Sequence, residues 1–165
     1  MSIAVTTDGK LYAWGRNADG QLGDGTITDK STPVQIGSLT NWKQVSTGGR
    51  HCAGIKTDGT LWTWGYNSFY GQLGDGTTVT KSSPVQIGSL TDWKQVVCGY
   101  NSTLCIKTDG TLWAWGANWS GHLGLSGNRS SPVQVGSLTN WKQISIRGGD
   151  VFGTASTLAI TYREI

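Results

Sequence analysis

The chain of 165 residues sets 13 Lys and Arg against 10 Asp and Glu, a charge of +3 too mild and too dispersed for a nucleic-acid footprint. With 25 Gly, nine Trp and only 14% charged residues, the composition describes short strands and tight turns and argues against a helical protein. No apolar run is long enough for a membrane-spanning helix, and the opening Met1-Ser-Ile-Ala-Val lacks the basic and apolar regions of a signal peptide.

In chain order, the first element is a hairpin in which Ile3 to Val5 and the segment LYAWG flank Asp8-Gly9. A glycine-rich turn (NADGQLG), a polar Thr-rich loop and a strand around Pro33 follow, and WKQV opens at Trp42. The order then repeats. Trp14, Trp64 and Trp115 close the segments LYAWG, LWTWG and LWAWG at spacings of 50 and 51, and Trp42, Trp93 and Trp141 open three WKQ segments at 51 and 48. Pro33, Pro84 and Pro132 keep step. The units run approximately over 1–40, 41–91 and 92–139, and 140–165 forms a partial terminal unit of a single tandem-repeat domain.

Asp58-Gly59 lies between two alternating runs, with Asp8-Gly9 and Asp109-Gly110 as its counterparts, so each pair is expected to form a two-residue type I′ hairpin turn. On the following strand Trp62 and Trp64 are two apart and share a face, as do Tyr12 with Trp14 and Trp113 with Trp115, which predicts a stacked aromatic layer. With WKQV and PVQIG as further strands, each unit holds about four strands in about 51 residues, the dimensions of a propeller blade. The fold class expected is all-β, about three four-stranded antiparallel blades. A lone blade leaves both faces of its sheet open to water, so stability must be shared between neighbours.

The second copy, TDGTLWTWGYNSFYGQLGDGT, resembles the repeat of the regulator of chromosome condensation family, and the likeness extends to all three copies. In that family a DG hairpin, an aromatic-x-Trp-Gly strand, an Asn and a GQLG turn recur in the blades of a propeller, usually of seven. The third copy departs with GHLGLSGNRS, where His122 replaces the Gln of positions 21 and 72, and the last unit loses its DG turn. Three units fall short of a closed ring, so an open segment is expected, or a ring completed by other copies of the chain or by further sequence. The opening copy lacks a WKQ strand and the closing unit supplies one, which suggests strand exchange between the two. The TYREI ending reads as a terminal cap.

Catalytic chemistry finds little material. His51 and His122 do not recur in the other copies and read as ordinary loop residues, Glu164 is the only glutamate, and the repeated aspartates are committed to turns. The GDGT loops at Asp24 and Asp75 lack the ligand pattern of a calcium loop, and GQLGDG lacks the Lys-Ser/Thr ending of a phosphate-binding loop. Cys52, Cys98 and Cys105, odd in number and without metal-ligand spacing, read as free structural thiols. No enzyme, cofactor or metal site is expected. Lysines 43, 94 and 142, and likewise 56 and 107, occupy equivalent places and read as solvated sheet-edge charges.

Positions that change between copies are free to serve a partner. After each WG strand lie Ala18-Asp19, Ser68-Phe69-Tyr70 and Trp119-Ser120. A second variable set, Arg50-His51, Tyr100-Asn101 and Asp150-Val151, is expected beside the DG hairpins. The candidate partner-binding residues are therefore Phe69, Tyr70, Trp119, Arg50, His51, Tyr100 and Asn101, with packing against neighbouring blades the competing role for the aromatic ones. The function expected is a non-enzymatic interaction module for a protein or glycan partner, extending to virion or cell-surface adhesion and compatible with a homo-oligomer or part of a longer chain. The repeats resemble those of bacterial and phage members of the family. The alternative is a regulator of a small GTPase or of chromatin. Extracellular, virion and cytoplasmic locations all stay open.

Overall fold

Runs of five or six residues rich in Val, Ile, Thr and Trp, interrupted by Gly, Asp and Pro, are too short to pay for helix nucleation and pair as strands instead. A computed structural model of the chain describes residues 1–147 and the strand at 156–161. Its strands are β1 (Ser2–Val5), β2 (Leu11–Gly15), β3 (Lys30–Gln35), β4 (Trp42–Thr47), β5 (His51–Lys56), β6 (Leu61–Gly65), β7 (Lys81–Gln86), β8 (Trp93–Cys98), β9 (Ser102–Lys107), β10 (Leu112–Gly116), β11 (Arg129–Gln134), β12 (Trp141–Arg147) and β13 (Ser156–Thr161). They form four antiparallel sheets, β1-β2-β3, β4-β5-β6-β7, β8-β9-β10-β11 and β12-β13, one within each repeat unit. Contacts run from β1 to β4, from β4 to β8 and from β8 to β12, so the sheets stand in sequence as propeller blades along an open arc. The WKQ strand β12 pairs with β13 in its own sheet and not with β1. Two intervening blades separate it from the opening sheet, so the strand exchange suggested by the sequence is not formed within a single chain.

The DG hairpins differ from expectation in an instructive way. Gly59 N donates to Lys56 O (3.0 Å), and Lys56 N donates to Thr60 O (3.0 Å), which makes the loop three residues long. Gly59 alone is left-handed, at φ +79°. The turn is thus type I followed by a left-handed glycine, not the two-residue type I′ form. The reason lies in Asp58, whose Oδ1 accepts from Thr60 N (3.0 Å) and Thr60 Oγ1 (2.7 Å), and this local bond suits a residue kept at negative φ. Asp109 and Thr111 repeat the arrangement. A Cβ on Gly59 would lie 1.9 Å from Thr91 O, and Gly59 O accepts from Trp93 N (3.2 Å), so the turn is also the joint to the next blade.

Between blades the packing is asymmetric. The tryptophan face of one blade meets the aliphatic face of the blade before it: Trp42, Cys52 and Trp64 sit against Leu11, Ala13, Leu22 and Ile36, and Trp93, Cys105 and Trp115 sit against Ala53, Ile55, Leu61 and Ile87. Trp64 and Trp115 are fully buried, and each donates its indole N–H to a carbonyl of the preceding blade, Gln21 O (3.0 Å) and Gln72 O (2.9 Å). The expected aromatic layer exists, but its rings meet edge to face. Trp42 lies 5.7 Å from Trp64 at 62°, and Trp93 lies 6.1 Å from Trp113 at 80°. The three cysteines are free and buried as expected, and burial pushes the Cys98 thiol up to about 12.

The inner strands β4, β8 and β12 are joined by side chains. Gln44 Nε2 donates to Val96 O (3.3 Å), and Val96 N donates to Gln44 Oε1 (3.2 Å). Gln95 repeats both bonds with Ile144 O (3.1 Å) and Ile144 N (3.2 Å). A primary amide has the donor and acceptor of a peptide group, so each Gln stands in for one residue of a missing strand between two blades.

Candidate functional site

Each WG strand leads into a loop built around one buried asparagine. Asn67 Oδ1 accepts from Leu73 N (2.9 Å), and its Nδ2 donates to Thr77 O (3.0 Å), Val79 O (3.3 Å) and Asp75 Oδ1 (3.3 Å). Asn17 and Asn118 organise the equivalent loops. The carboxylate of Asp24 is used up in the same way, by Thr26 N (3.0 Å), Thr26 Oγ1 (2.7 Å) and Asn17 Nδ2 (3.1 Å), with Lys30 at 3.4 Å, so the GDGT loop serves its own turn. No cluster able to hold a metal ion occurs among the described residues.

This scaffold leaves one turn free to vary. Between Asn67 and Gly71 the second copy carries three residues where the others carry two. The extra residue places Phe69 at φ +76°, the one non-glycine residue with positive φ among those described, and 79% exposed. A bulky side chain in that conformation costs free energy, and here no burial offsets it. Tyr70 beside it meets Phe69 at 6.2 Å and Trp119 of the next blade edge-on at 5.0 Å. Trp119 is itself 44% exposed.

Six of the seven candidate residues converge here. Arg50, Phe69, Tyr70, Tyr100, Asn101 and Trp119 line one open cavity of about 240 Å³, joined by Tyr66. The second variable set is therefore not beside the DG hairpins, because Arg50 precedes β5 and Asp58-Gly59 follows it, at opposite ends of one strand. Both variable sets share one end of the blades, which brings them together; Asp150 and Val151 lie outside the described residues. Arg50 spans two blades. It makes a bidentate ion pair to Asp19, with Nε to Oδ2 and Nη2 to Oδ1 both 2.8 Å, and its guanidinium lies 4.4 Å from the Tyr66 ring centroid. Tyr66 was legible as well, since its counterparts after WG are Arg16 and Ala117.

His51 departs from the group. It occupies the strand position of Ser102 in the next copy, with no exposed surface, and its Nε2 lies 3.0 Å from Thr103 Oγ1. Burial lowers its pKa to about 4. Asn101 is nearly covered too, with its Oδ1 facing Gln72 Nε2 at 3.5 Å. The other correction concerns lysine. Lys56 and Lys107 are buried, not solvated: Lys56 Nζ lies 3.6 Å from the Trp62 centroid and 5.1 Å from Trp42, and Lys107 Nζ lies 4.5 and 4.9 Å from Trp113 and Trp93. A long aliphatic stem lets a strand-end lysine lie along the tryptophan face with its ammonium over the rings. Desolvation holds the Lys56 ammonium below the ordinary lysine pKa. Lys43 and Lys94 are exposed, as expected.

These features have relatives. The chain is 38% identical over 128 residues to the Ultraviolet-B receptor UVR8 of Arabidopsis thaliana, covering 75% of this chain and 29% of that protein. It is also 38% identical over 132 residues to the probable E3 ubiquitin-protein ligase HERC6 of Homo sapiens, covering 76% and 13%. The chain thus spans less than a third of either relative. Among solved structures, human WBSCR16 superposes with a TM-score of 0.75 at 26% identity, covering 88% of this chain and 40% of that one. Prp20p of Saccharomyces cerevisiae, whose structure was described with its binding properties to Gsp1p and histones, superposes with a TM-score of 0.76 at 19% identity, covering 98% and 42%. The pattern of the regulator of chromosome condensation (RCC1) repeat matches residues 8–55, 58–106 and 109–155. With three consecutive matches over nearly all of its length, the chain belongs to the regulator of chromosome condensation (RCC1) repeat family.

Proposed function

We propose that the chain is a non-enzymatic interaction module whose partner docks on the aromatic patch at the loop end of blades two and three. The observation that carries this reading is Phe69, a large apolar side chain held in a left-handed conformation and 79% exposed. Backbone strain without packing gain marks a residue placed for something outside the fold. Neighbouring Tyr70, Tyr100 and Trp119 are the residue types that dominate recognition hot spots. That His51 and the repeated carboxylates are committed to internal bonds supports a binding role over catalysis.

Within this reading the partner is a protein or a glycan, and adhesion at a virion or cell surface is its extension. Association with further blades, from other copies of the chain or from a longer polypeptide, is part of it too, because the opening blade presents half-buried Tyr12 and Trp14 where other blades meet a neighbour. A second reading, regulation of a small GTPase or of chromatin, is favoured by the likeness in fold to Prp20p.

The test compares the native chain with a Phe69→Ser/Tyr70→Ser/Trp119→Ser variant on glycan and protein arrays, alongside release of labelled nucleotide from small GTPases. Saturable binding that vanishes in the variant at unchanged melting temperature supports the module. Accelerated nucleotide release that the variant retains would transfer the function to the second reading.

A further inference from the structure

Lys56 and Lys107 end equivalent strands, yet their ammonium groups have different surroundings. Lys107 Nζ lies 3.4 Å from Asp92 Oδ2, a carboxylate on the segment that leads into β8. In the preceding copy Asn41 stands in place of Asp92, and the Lys56 ammonium has no ion pair or hydrogen bond among the described residues, only the Trp62 and Trp42 rings. Lys56 is nevertheless just 4% exposed. An ammonium withdrawn from water without a counter-charge costs free energy that aromatic faces offset only in part. Asn41 adds a second unmet group, since its Oδ1 is buried without a partner.

The same ammonium reaches an opening that its counterpart does not. Lys56 lines an open cavity of about 370 Å³ between the first and second blades, together with Ile36, Leu39, Trp42, Trp62 and Pro84. The next gap holds a matching cavity of about 400 Å³ against Ile87, Leu90, Trp93 and Pro132, but Lys107 is not part of its lining. Two other carboxylates bear on the first cavity, and neither supplies the missing partner. Asp24 lines it with oxygens already held by Thr26, Asn17 and Lys30. Exposed Asp58 faces Thr60, and Asp109 repeats that arrangement near Lys107, so it does not distinguish the two gaps. The cavity sits at the end of β5 opposite to Arg50, away from the aromatic patch.

We infer that this cavity binds a small organic carboxylate, whose anionic end takes the role that Asp92 fills in the next copy and whose apolar body rests on Ile36, Leu39 and Trp42. One ammonium matches one carboxylate. A phosphate monoester would bring further charge and oxygens for which the cavity lining has no second cation. The volume falls within the range of small-molecule sites. This inference is independent of the interaction-module reading.

Phenylacetate is the probe, titrated into the full chain by calorimetry and followed by the indole N–H resonances of Trp42 and Trp62. Acetate supplies the charge without the apolar body, phenylacetamide the body without the charge, and inorganic phosphate a different anion. One saturable phenylacetate site is expected, about tenfold or more tighter than phenylacetamide, the scale of a charge-assisted hydrogen bond, and tighter than acetate or phosphate. Asn41→Asp should abolish it with the melting temperature retained, because the next copy accommodates Asp92 on the same backbone bond: Thr57 N to Asn41 O and Thr108 N to Asp92 O are both 2.8 Å. Asp92→Asn, which removes the counter-ion of Lys107, should raise the number of sites to two. The Phe69→Ser/Tyr70→Ser/Trp119→Ser variant should bind phenylacetate like the native chain, which separates this site from the patch. The assignment is overturned by the absence of a saturable site, by phenylacetate binding that survives Asn41→Asp, or by binding no tighter than that of phenylacetamide or acetate.

Discussion

A single buried imidazole shows how this scaffold spends its titratable groups. His51 keeps a depressed pKa of about 4 because burial disfavours its charged form, and the neighbour of its Nε2 is a neutral hydroxyl, Thr103 Oγ1. The unfolded chain takes up a proton near pH 6.5, so the stability that neutral His51 provides is complete above that value and is lost as the pH falls towards about 4. Through that window unfolding should become easier by about 1.4 kcal/mol per pH unit, and urea midpoints at pH 7, 6 and 5 measure it. A His51→Gln chain should lose most of this slope. Sequence comparison identified the position as variable but not its direction, because a one-residue offset decides which face of the strand is buried, and the copies align His51 with Ser102 inside the blade.

Among elements, the DG hairpins show what pattern can and cannot reveal. Alternating runs around Asp-Gly located the β1–β2, β5–β6 and β9–β10 hairpins, yet loop length depended on whether Asp58 entered the left-handed region, and the Thr60 bonds that decide this are local chemistry a dipeptide rule does not see. Gly59→Ala should be costly on two counts, positive φ and the approach to Thr91 O, and a loss of about 2 kcal/mol or more in denaturant unfolding is expected. Asp58→Ala, which removes the bonds to Thr60 and leaves the backbone free to keep its shape, should cost less. The strands around Trp14, Trp64 and Trp115 were legible because their repeat is strict. The inward lysines were not, because a lysine letter carries no burial signal, and only the pairing of Lys56 with Trp42 and of Lys107 with Trp93 shows that their stems lie along the indoles. The patch was legible in part: variation between copies picked out its members, and the shared end of β5 and β6 that unites them is a property of three dimensions.

At the scale of the whole molecule, stability resides between blades. Trp115 joins the second blade to the third through burial and one indole bond, so Trp115→Ala should cost about 3–5 kcal/mol and lower the melting temperature of the entire arc in one transition. Calorimetry checks this; separate melting of the first and third blades would contradict the cooperative arrangement. Gln95→Leu, which cuts the two amide bonds to Ile144, should cost on the order of 1–3 kcal/mol with its strand left intact.

Those glutamine amides all reach the same way along the chain, from Gln44 to Val96 and from Gln95 to Ile144. The arc consequently has a head and a tail. Gln143, third in the series, is exposed and has no such bond among the described residues, and Val45, the counterpart of Val96, receives none. Like a zip, a strand that continued the arc in the same pattern would accept the Gln143 amide at one extremity or offer one to Val45 at the other.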